Sequence, residues 1–146
     1  MSPVAIIDAE RLGRTGKRPK DIFAEYFASL GNNIYSEEFG DIAFGNSSVK
    51  SEIRHGLTAE KIASIEAIPS VIEEGKVIFS RKKPGTDVDR IVVAAHIKIG
   101  VVEYYMGIML QRDSAHQRLY LHNVVARTKE EAKMPSQDYS LTELVR

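Results

Sequence analysis

Two segments in the second half of the sequence alternate apolar and polar residues with the two-residue period of a β-strand. From Ile91 to Ile97 the odd-numbered positions are apolar, and Leu119 and Leu121 continue the same alternation further along the chain. Because successive side chains of a strand point to opposite faces, each segment has one apolar side and one polar side. Together with the stretch between them, they predict an antiparallel meander of three strands, Arg90–Ile99, Val101–Gln111 and Gln117–Ala126.

Helical periodicity dominates the first half of the chain. From Pro19 to Gly31, apolar residues recur every three or four positions and predict an amphipathic helix with Ile22, Phe23, Tyr26, Phe27 and Leu30 on its buried face. A second helical stretch begins at Thr58 and ends at Gly75, and Pro69 is expected to kink or divide it. The apolar residues of this stretch are Ile62, Ile65, Ile68, Val71 and Ile72.

Shorter elements complete the pattern. Ser47 or Ser48 can cap a short helix that ends at Gly56. The stretches Ile34–Tyr35 and Asp41–Phe44 predict a small hairpin or edge strand, and Lys76–Ser80 begins the main sheet.

Helices first and a meander last indicate an α+β fold. We expect helices packed on one face of a curved antiparallel sheet of four to five strands, with the other face available for a ligand. Residues 1–18 are basic and aperiodic and predict a flexible arm, residues 19–126 form the domain, and residues 127–146 form a tail.

Composition narrows the classes of function. The chain has 146 residues and equal numbers of acidic and basic side chains, so binding of nucleic acid would need a local basic patch. It has no Cys, which excludes disulfides, thiolate zinc sites and cysteine nucleophiles. Its apolar runs are far shorter than the roughly 18 residues of a membrane span. We expect a soluble cytoplasmic protein that has no membrane segment and uses neither a metal nor another cofactor.

The polar sides of the strands carry groups suited to acid–base chemistry and to phosphate binding. Arg90, His96 and Lys98 lie on the first strand, and Arg118, Tyr120 and His122 lie on the last. Imidazole gains and loses protons near neutral pH, and cations stabilise the charge that develops on a phosphate during RNA cleavage. The alternative is an ordinary solvated strand face, which alternation alone also produces.

Further candidates lie outside the meander. Lys50 and Arg54 are spaced to share one side of a short helix whose last turn holds His55, although a helix C-terminus also explains a cation there. Arg81 and Lys82 begin a basic loop that is either solvated or in contact with phosphate. Of the neighbours Tyr104 and Tyr105, at most one packs in the core, and the other, provisionally Tyr105, could stack on a base.

The stretch from Phe39 to Val124 resembles domains of large polyvalent proteins from phages and mobile elements, of the barnase/EndoU/colicin/RelE-like nuclease type. The resemblance is carried by the segments GDIAFGNSSVKSEIRHG, EKIASIEAIPSVIEEGKVI, RIVVAAHIKIGVVEYYMGIML and RLYLHNVV. It implies a curved antiparallel sheet and a metal-independent ribonuclease, as in the toxin domains of bacterial contact-dependent inhibition. It also implies one site that contains His55 with Lys50, Tyr120 with His122, and Arg81 or Lys82.

Two functions follow as hypotheses. The first is an endoribonuclease toxin or phage effector that cleaves RNA, with tRNA as one option, through a 2′,3′-cyclic phosphate. In it, His55 and His122 would share the proton transfers, Tyr120 would orient, and Lys50, Lys82 and Arg118 would bind phosphate. Its partners would be RNA and a cognate immunity protein. The second hypothesis is a non-catalytic module that binds nucleic acid or protein through the same sheet face.

Overall fold

The computed structural model describes residues 2–12, 18–44, 58–82, 89–112 and 119–128. Within them the helices are α1 (Pro19–Ser29), α2 (Ala59–Ser64) and α3 (Ile68–Glu74), and 3-10 turns lie at Ala9–Leu12 and Ile65–Ala67. The strands are β1 (Ala5–Ile7), β2 (Asn33–Ser36), β3 (Gly40–Ala43), β4 (Lys76–Lys82), β5 (Asp89–Ile99), β6 (Val102–Arg112) and β7 (Leu119–Thr128).

The seven strands form one mixed sheet in the order β1-β5-β6-β7-β3-β2, and β4 also pairs with β5. The long strands β5, β6 and β7 form the antiparallel meander that alternation predicts. Since β6 pairs with β5 along its whole length, β4 and β1 share the opposite edge of β5. There, β4 is antiparallel to the first half of β5, and β1 is parallel to its last three residues.

The prediction of four to five antiparallel strands is therefore wrong in number and direction, although the α+β class is confirmed. Two of the pairings are parallel, β1 with β5 and β3 with β7. Both parallel pairs join segments that are far apart in the sequence. Local alternation, in contrast, predicts mainly antiparallel strands that are joined by tight turns.

The helices cover one face of the sheet, as the apolar periodicity predicts. Phe23 and Phe27 of α1 are fully buried, and the ring of Phe27 stacks on that of Phe44 with centroids 5.1 Å apart. The second helical stretch divides at Pro69, which occupies the first turn of α3, and ends at Gly75 as expected. The sheet residues that are buried in this core include Ile42, Val93, Ile97, Ile99, Tyr104, Met106, Ile108, Leu110, Leu119, Leu121 and Val124.

The opposite face of the sheet is only partly open, in contrast to the expected ligand-binding face. Val92, Met109 and Val125, from three adjacent strands, form a second buried cluster against which Phe79 packs. Polar side chains remain accessible toward the ends of the strands, where Tyr120 and His122 are partly exposed. Any site on this face therefore lies at one end of it rather than across its middle.

The first residues do not all belong to a flexible arm. Ala5–Ile7 pair with Ile97–Ile99, and the Val4 N–H donates to the carbonyl of His96 at 2.8 Å. At the other end, β7 continues to Thr128 and includes the first two residues of the predicted tail. The predicted helix near residues 47–55 and the tail from 129 onward lie outside the described residues. No helix in the described ranges is long and apolar enough to cross a membrane.

Helix α1 is held against the 3-10 turn at Ile65–Ala67 as well as against the sheet. The Tyr26 hydroxyl lies 3.5 Å from the backbone carbonyl oxygen of Glu66. Burial, and to a smaller extent the nearby Glu66 carboxylate, raises the pKa of Tyr26. Both effects favour the neutral phenol at this junction.

Gly75 connects the helical layer to the sheet at a point with no room for a side chain. Its N–H donates to the Val71 carbonyl, and a Cβ atom here would lie 2.4 Å from that oxygen and 2.9 Å from the carbonyl oxygen of Ala94. Both neighbours are backbone atoms, which cannot move aside independently. The absence of a side chain therefore lets α3 end directly against β5 and lets β4 start beside it.

We expect Gly75→Ala to lower the free energy of unfolding by about 1–3 kcal/mol, measured by urea denaturation, because of this overpacking. Gly40→Ala is the comparison, since Gly40 has open space around it but a φ of +77°. Gly40→Ala should lower the free energy of unfolding by about 1–2 kcal/mol. The loss should be smaller in Gly40→Asn, because Asn tolerates a left-handed backbone. If Gly75→Asn recovered stability in the same way, steric crowding at Gly75 would be the wrong explanation.

Candidate functional site

A row of polar side chains crosses three neighbouring strands at one end of the sheet. Arg90 of β5 is paired in register with Gln111 of β6, which is paired with Tyr120 of β7. The Arg90 Nε donates to Gln111 Oε1 at 3.1 Å, and Gln111 Nε2 donates to the Tyr120 hydroxyl at 2.8 Å. A guanidinium, an amide and a phenol are thus joined by hydrogen bonds, and we call Arg90, Gln111, Tyr120 and the adjacent His122 the polar row.

The chemistry of Arg90 fixes the direction of these bonds. A guanidinium only donates hydrogen bonds, so the Gln111 oxygen must face Arg90 and its NH₂ group must face Tyr120. The phenol oxygen therefore accepts from Gln111, and the hydrogen of the phenol points to a different acceptor. Gln111 is 8% exposed, so its amide is held in place by burial as well as by its two bonds.

His122 extends the row through an irregularity in β7. Met109 is opposite Asn123 while Leu110 is opposite Leu121, so His122 is the additional residue of a β-bulge. Its ring meets the ring of Tyr120 edge-on, with centroids 6.1 Å apart. Bulges redirect side chains and occur often beside active sites. Here the bulge leaves a partly exposed imidazole beside the phenol.

The bulge is supported from the helical side by a buried lysine. Lys61 of α2 is 6% exposed, and its Nζ donates to Asn123 Oδ1 at 3.3 Å. The same oxygen accepts from the backbone N–H of Val124 at 2.9 Å. Asn123 thus ties the bulge to helix α2, directly beside His122.

Positive charge is concentrated around this end of the sheet. The register places Arg81 opposite Arg90 and Lys82 opposite Asp89, while Arg112 is opposite Asp89 on the other side. The Asp89 carboxylate lies 3.4 Å from Arg112 Nη2. By strand alternation, the register positions of Arg81 and Arg90 share the face of the polar row, whereas those of Lys82, Asp89 and Arg112 belong to the other face. The two neighbouring arginine positions favour binding of an anion such as phosphate.

His96, Lys98 and Tyr105 do not join the polar row. His96 is six residues from Arg90 on the same strand, which corresponds to about 20 Å at the rise of a β-strand. It is 3% exposed, its Nε2 lies 3.3 Å from Glu103 Oε1, and its ring lies 5.7 Å from that of Tyr105. Lys98 is in register with Glu103 in the same group. The polar sides of β5 and β7 lie on the same face of the sheet, as alternation predicts. The imidazoles of His96 and His122 are nevertheless far apart, because they lie toward opposite ends of these long strands.

Four candidates, Lys50, Arg54, His55 and Arg118, lie outside the described residues. For Arg81 and Lys82 the structure gives the backbone register. It therefore brings together Tyr120 and His122 and aligns Arg81 with their row, while Lys82 is the next residue along β4 and is opposite Asp89. In the described ranges, no three His, Asp or Glu side chains converge in a way that could hold a metal ion.

Three residues of this region, Gln111, Lys61 and Asn123, have no place among the candidates from sequence. Alternation places Arg90 on the polar side of its strand, but Gln111 is an ordinary strand-end residue until the register pairs it with Arg90 and Tyr120. The sequence does contain a feature that points to Lys61. This lysine lies four residues before Ile65 and seven before Ile68, on the apolar stripe of its helix. A charged residue on that stripe is unusual unless it has a partner. The partner, Asn123, follows from the fold alone.

We expect Asn123→Leu to lower the free energy of unfolding by about 1–3 kcal/mol, because Lys61 and the Val124 N–H lose a buried acceptor. Adding Lys61→Met should recover about 1 kcal/mol or more of that loss, since the double variant no longer buries the amine. The matched control is Lys20→Met, an exposed lysine of α1, which should add no recovery. Strictly additive losses for Lys61→Met and Asn123→Leu would contradict the proposed coupling.

Comparison with known proteins gives one match. Residues 17–120 match the sequence model of the family described as large polyvalent protein-associated domain 3. This range contains α1, the hairpin, the second helical stretch, β4 to β6 and the start of β7 up to Tyr120. No curated protein and no solved structure matches the chain.

Proposed function

We propose that this chain, which belongs to the family of large polyvalent protein-associated domain 3, binds RNA at the polar row and cleaves it there without a metal ion. The observation that carries the proposal is the hydrogen-bonded sequence Arg90–Gln111–Tyr120 with His122 beside it. In cleavage through the ribose 2′-hydroxyl, the cation can stabilise charge on the phosphate, the imidazole can carry one of the two proton transfers, and the hydroxyl can orient the phosphate.

In the proposed complex the RNA backbone crosses the strand ends. Arg90 contributes its guanidinium, a group that can bind two phosphate oxygens at once. Arg81 and Lys82, in register with Arg90 and Asp89, add positive charge on the neighbouring strand. The phosphate is thereby held within reach of the next two strands.

The cleavage step needs two proton transfers. One group removes the proton of the 2′-hydroxyl as that oxygen attacks phosphorus, and another protonates the 5′-oxygen as its bond to phosphorus breaks. We assign one transfer to His122 and the other to His55, while the Tyr120 hydroxyl orients the phosphate. The products are a 2′,3′-cyclic phosphate and a free 5′-hydroxyl, and no bond to the protein forms.

Purified protein incubated with tRNA in the presence of a chelator should produce fragments that end in 2′,3′-cyclic phosphate. His122→Ala should slow cleavage by about 10²–10⁴-fold, the usual contribution of a general acid or base. Tyr120→Phe should have a smaller effect, because it removes the hydroxyl and leaves the ring that packs against His122. The fragments are resolved on denaturing gels, and the rate is taken from single-turnover time courses.

His96→Gln is the matched control, since it removes an imidazole on the same sheet face at a distance from the row. Each variant is compared at equal thermal stability, so that unfolding is not mistaken for lost chemistry. Wild-type cleavage by the His122→Ala protein would refute the assignment of His122. Loss of cleavage equal in His96→Gln and His122→Ala would refute the polar row as the site.

A second function, a non-catalytic RNA-binding module, is favoured by a specific feature of the row. Within the described residues the row contains one imidazole, and the other described imidazole, that of His96, belongs to a separate group about 20 Å away. A cation for binding phosphate and an aromatic ring for stacking a base are both in the row, as Arg90 and Tyr120 on either side of Gln111. This module would bind RNA without turnover.

Binding should weaken with salt in either case, and Arg90→Ala should reduce the slope of log affinity against log salt by about one unit. Lys20→Ala, which removes a cation far from the row, should leave that slope unchanged. Expression in a bacterium separates the two functions. An active ribonuclease should arrest growth, and His122→Ala should relieve the arrest, whereas a binding module should allow growth in both forms. An unchanged salt slope in Arg90→Ala would contradict both functions at this site.

A further inference from the structure

A groove lies on a different part of the molecule, between the strand β2 with its following turn and helix α3. Its volume is about 470 Å³. The walls include Ile34 of β2 and Pro69 and Ile72 of α3, which give it an apolar floor. Ile72 is buried, so the floor rests on the hydrophobic core and is firmly placed.

The strand that borders the groove has an edge available for pairing. β2 is the last strand of the described sheet on this side. The Phe44 N–H donates to the Asn32 carbonyl at 2.9 Å, so the bonded pairs with β3 continue at Ile34 and Ser36. The backbone N–H and carbonyl of Tyr35 therefore point away from β3. An extended peptide can pair with such an edge, and adjoining pockets then select its side chains.

The rim of the groove is acidic. Glu37 and Glu38 lie on the turn after β2, Glu73 lies on α3, and all three are exposed. Among the residues that the structure describes, no Lys, Arg or His lines the groove. The three carboxylates do not converge as metal ligands do. Separated negative charges around an apolar floor suit several long cationic side chains better than they suit one metal ion.

A large aromatic side chain completes the surface. Tyr35 is 69% exposed, which is unusual for a ring of this size in the middle of a strand. Exposed tyrosines are enriched at protein interfaces, because the ring supplies apolar contact area and the hydroxyl tolerates water. At this groove the ring is placed to pack against a segment that pairs with the strand.

The geometry points to a peptide-binding site: the groove takes an extended segment of a partner polypeptide that carries Lys or Arg, which adds as a strand to β2. Apolar residues of the segment contact Ile34 and Ile72, and its cationic residues reach Glu37, Glu38 and Glu73. The site is separate from the polar row, and the inference does not depend on RNA cleavage.

The test uses the full chain and a fluorescent ten-residue peptide that alternates Lys with Val, with a Glu-for-Lys peptide as the comparison. Anisotropy should show binding of the Lys peptide and at least tenfold weaker binding of the Glu peptide, as expected from complementary charge. Glu73→Lys should weaken binding of the Lys peptide by about tenfold. Glu74→Lys is the matched control, because it makes the same charge change on the next residue, which is exposed and does not line the groove.

Hydrogen exchange reports on the strand addition itself. Saturation with the Lys peptide should slow exchange of the Tyr35 amide by about tenfold or more, because that N–H becomes bonded to the peptide. Absence of binding, equal effects of Glu73→Lys and Glu74→Lys, or unchanged Tyr35 exchange in the bound state would each overturn the proposal. So would a Tyr35 amide that is already protected in the free chain, since a segment of this chain would then occupy the edge.

Discussion

Burial of one face of β5, β6 and β7 beneath the helices is the constraint on which the rest of the structure depends. Outside the bulge in β7, successive side chains of these strands point to opposite faces, so each apolar residue that enters this core directs its neighbours to the opposite face. A shift of β6 by one residue against β5 would expose Ile108 and Leu110 and bury Gln111 in the helical core. The register that the core requires is therefore also the register that aligns Arg90, Gln111 and Tyr120.

The bulge in β7 shows how a local departure from that alternation serves the site. Before the bulge the core side chains of β7 are Leu119 and Leu121, and after it the core side chain is Val124. One extra residue reverses the odd and even positions, and Asn123, the residue that follows His122 and lies opposite Met109, accepts a hydrogen bond from Lys61 of α2. Burying a lysine carries a desolvation cost that a regular strand with an apolar residue would avoid. The cost of burying Lys61 is explained if the position of His122 depends on the bulge.

Much of this arrangement follows from local sequence. The apolar stripe of α1, the division at Pro69, the end of the helix at Gly75 and the meander all depend on residues close together in the chain. The parallel pairing of β1 could not be predicted, because Ala5–Ile7 is too short to show alternation and its partner lies some ninety residues away. The bulge could not be predicted either, since a sequence does not show which residue of a strand has no paired residue on the neighbouring strand. For this reason the polar residues expected from sequence included Arg90, Tyr120 and His122 and omitted Gln111.

The zero net charge of the chain conceals two surfaces of opposite sign. Cationic residues collect around Arg90 at the strand ends, and carboxylates surround the groove between β2 and α3. If the charges were evenly mixed, neither surface would discriminate between ligands, because neighbouring charges of opposite sign cancel within a Debye length of about 8–10 Å. Segregation lets one small domain attract an anionic chain at one surface and repel it at the other. An RNA bound at the polar row would therefore be kept away from the groove, and a basic peptide in the groove would be kept away from the row.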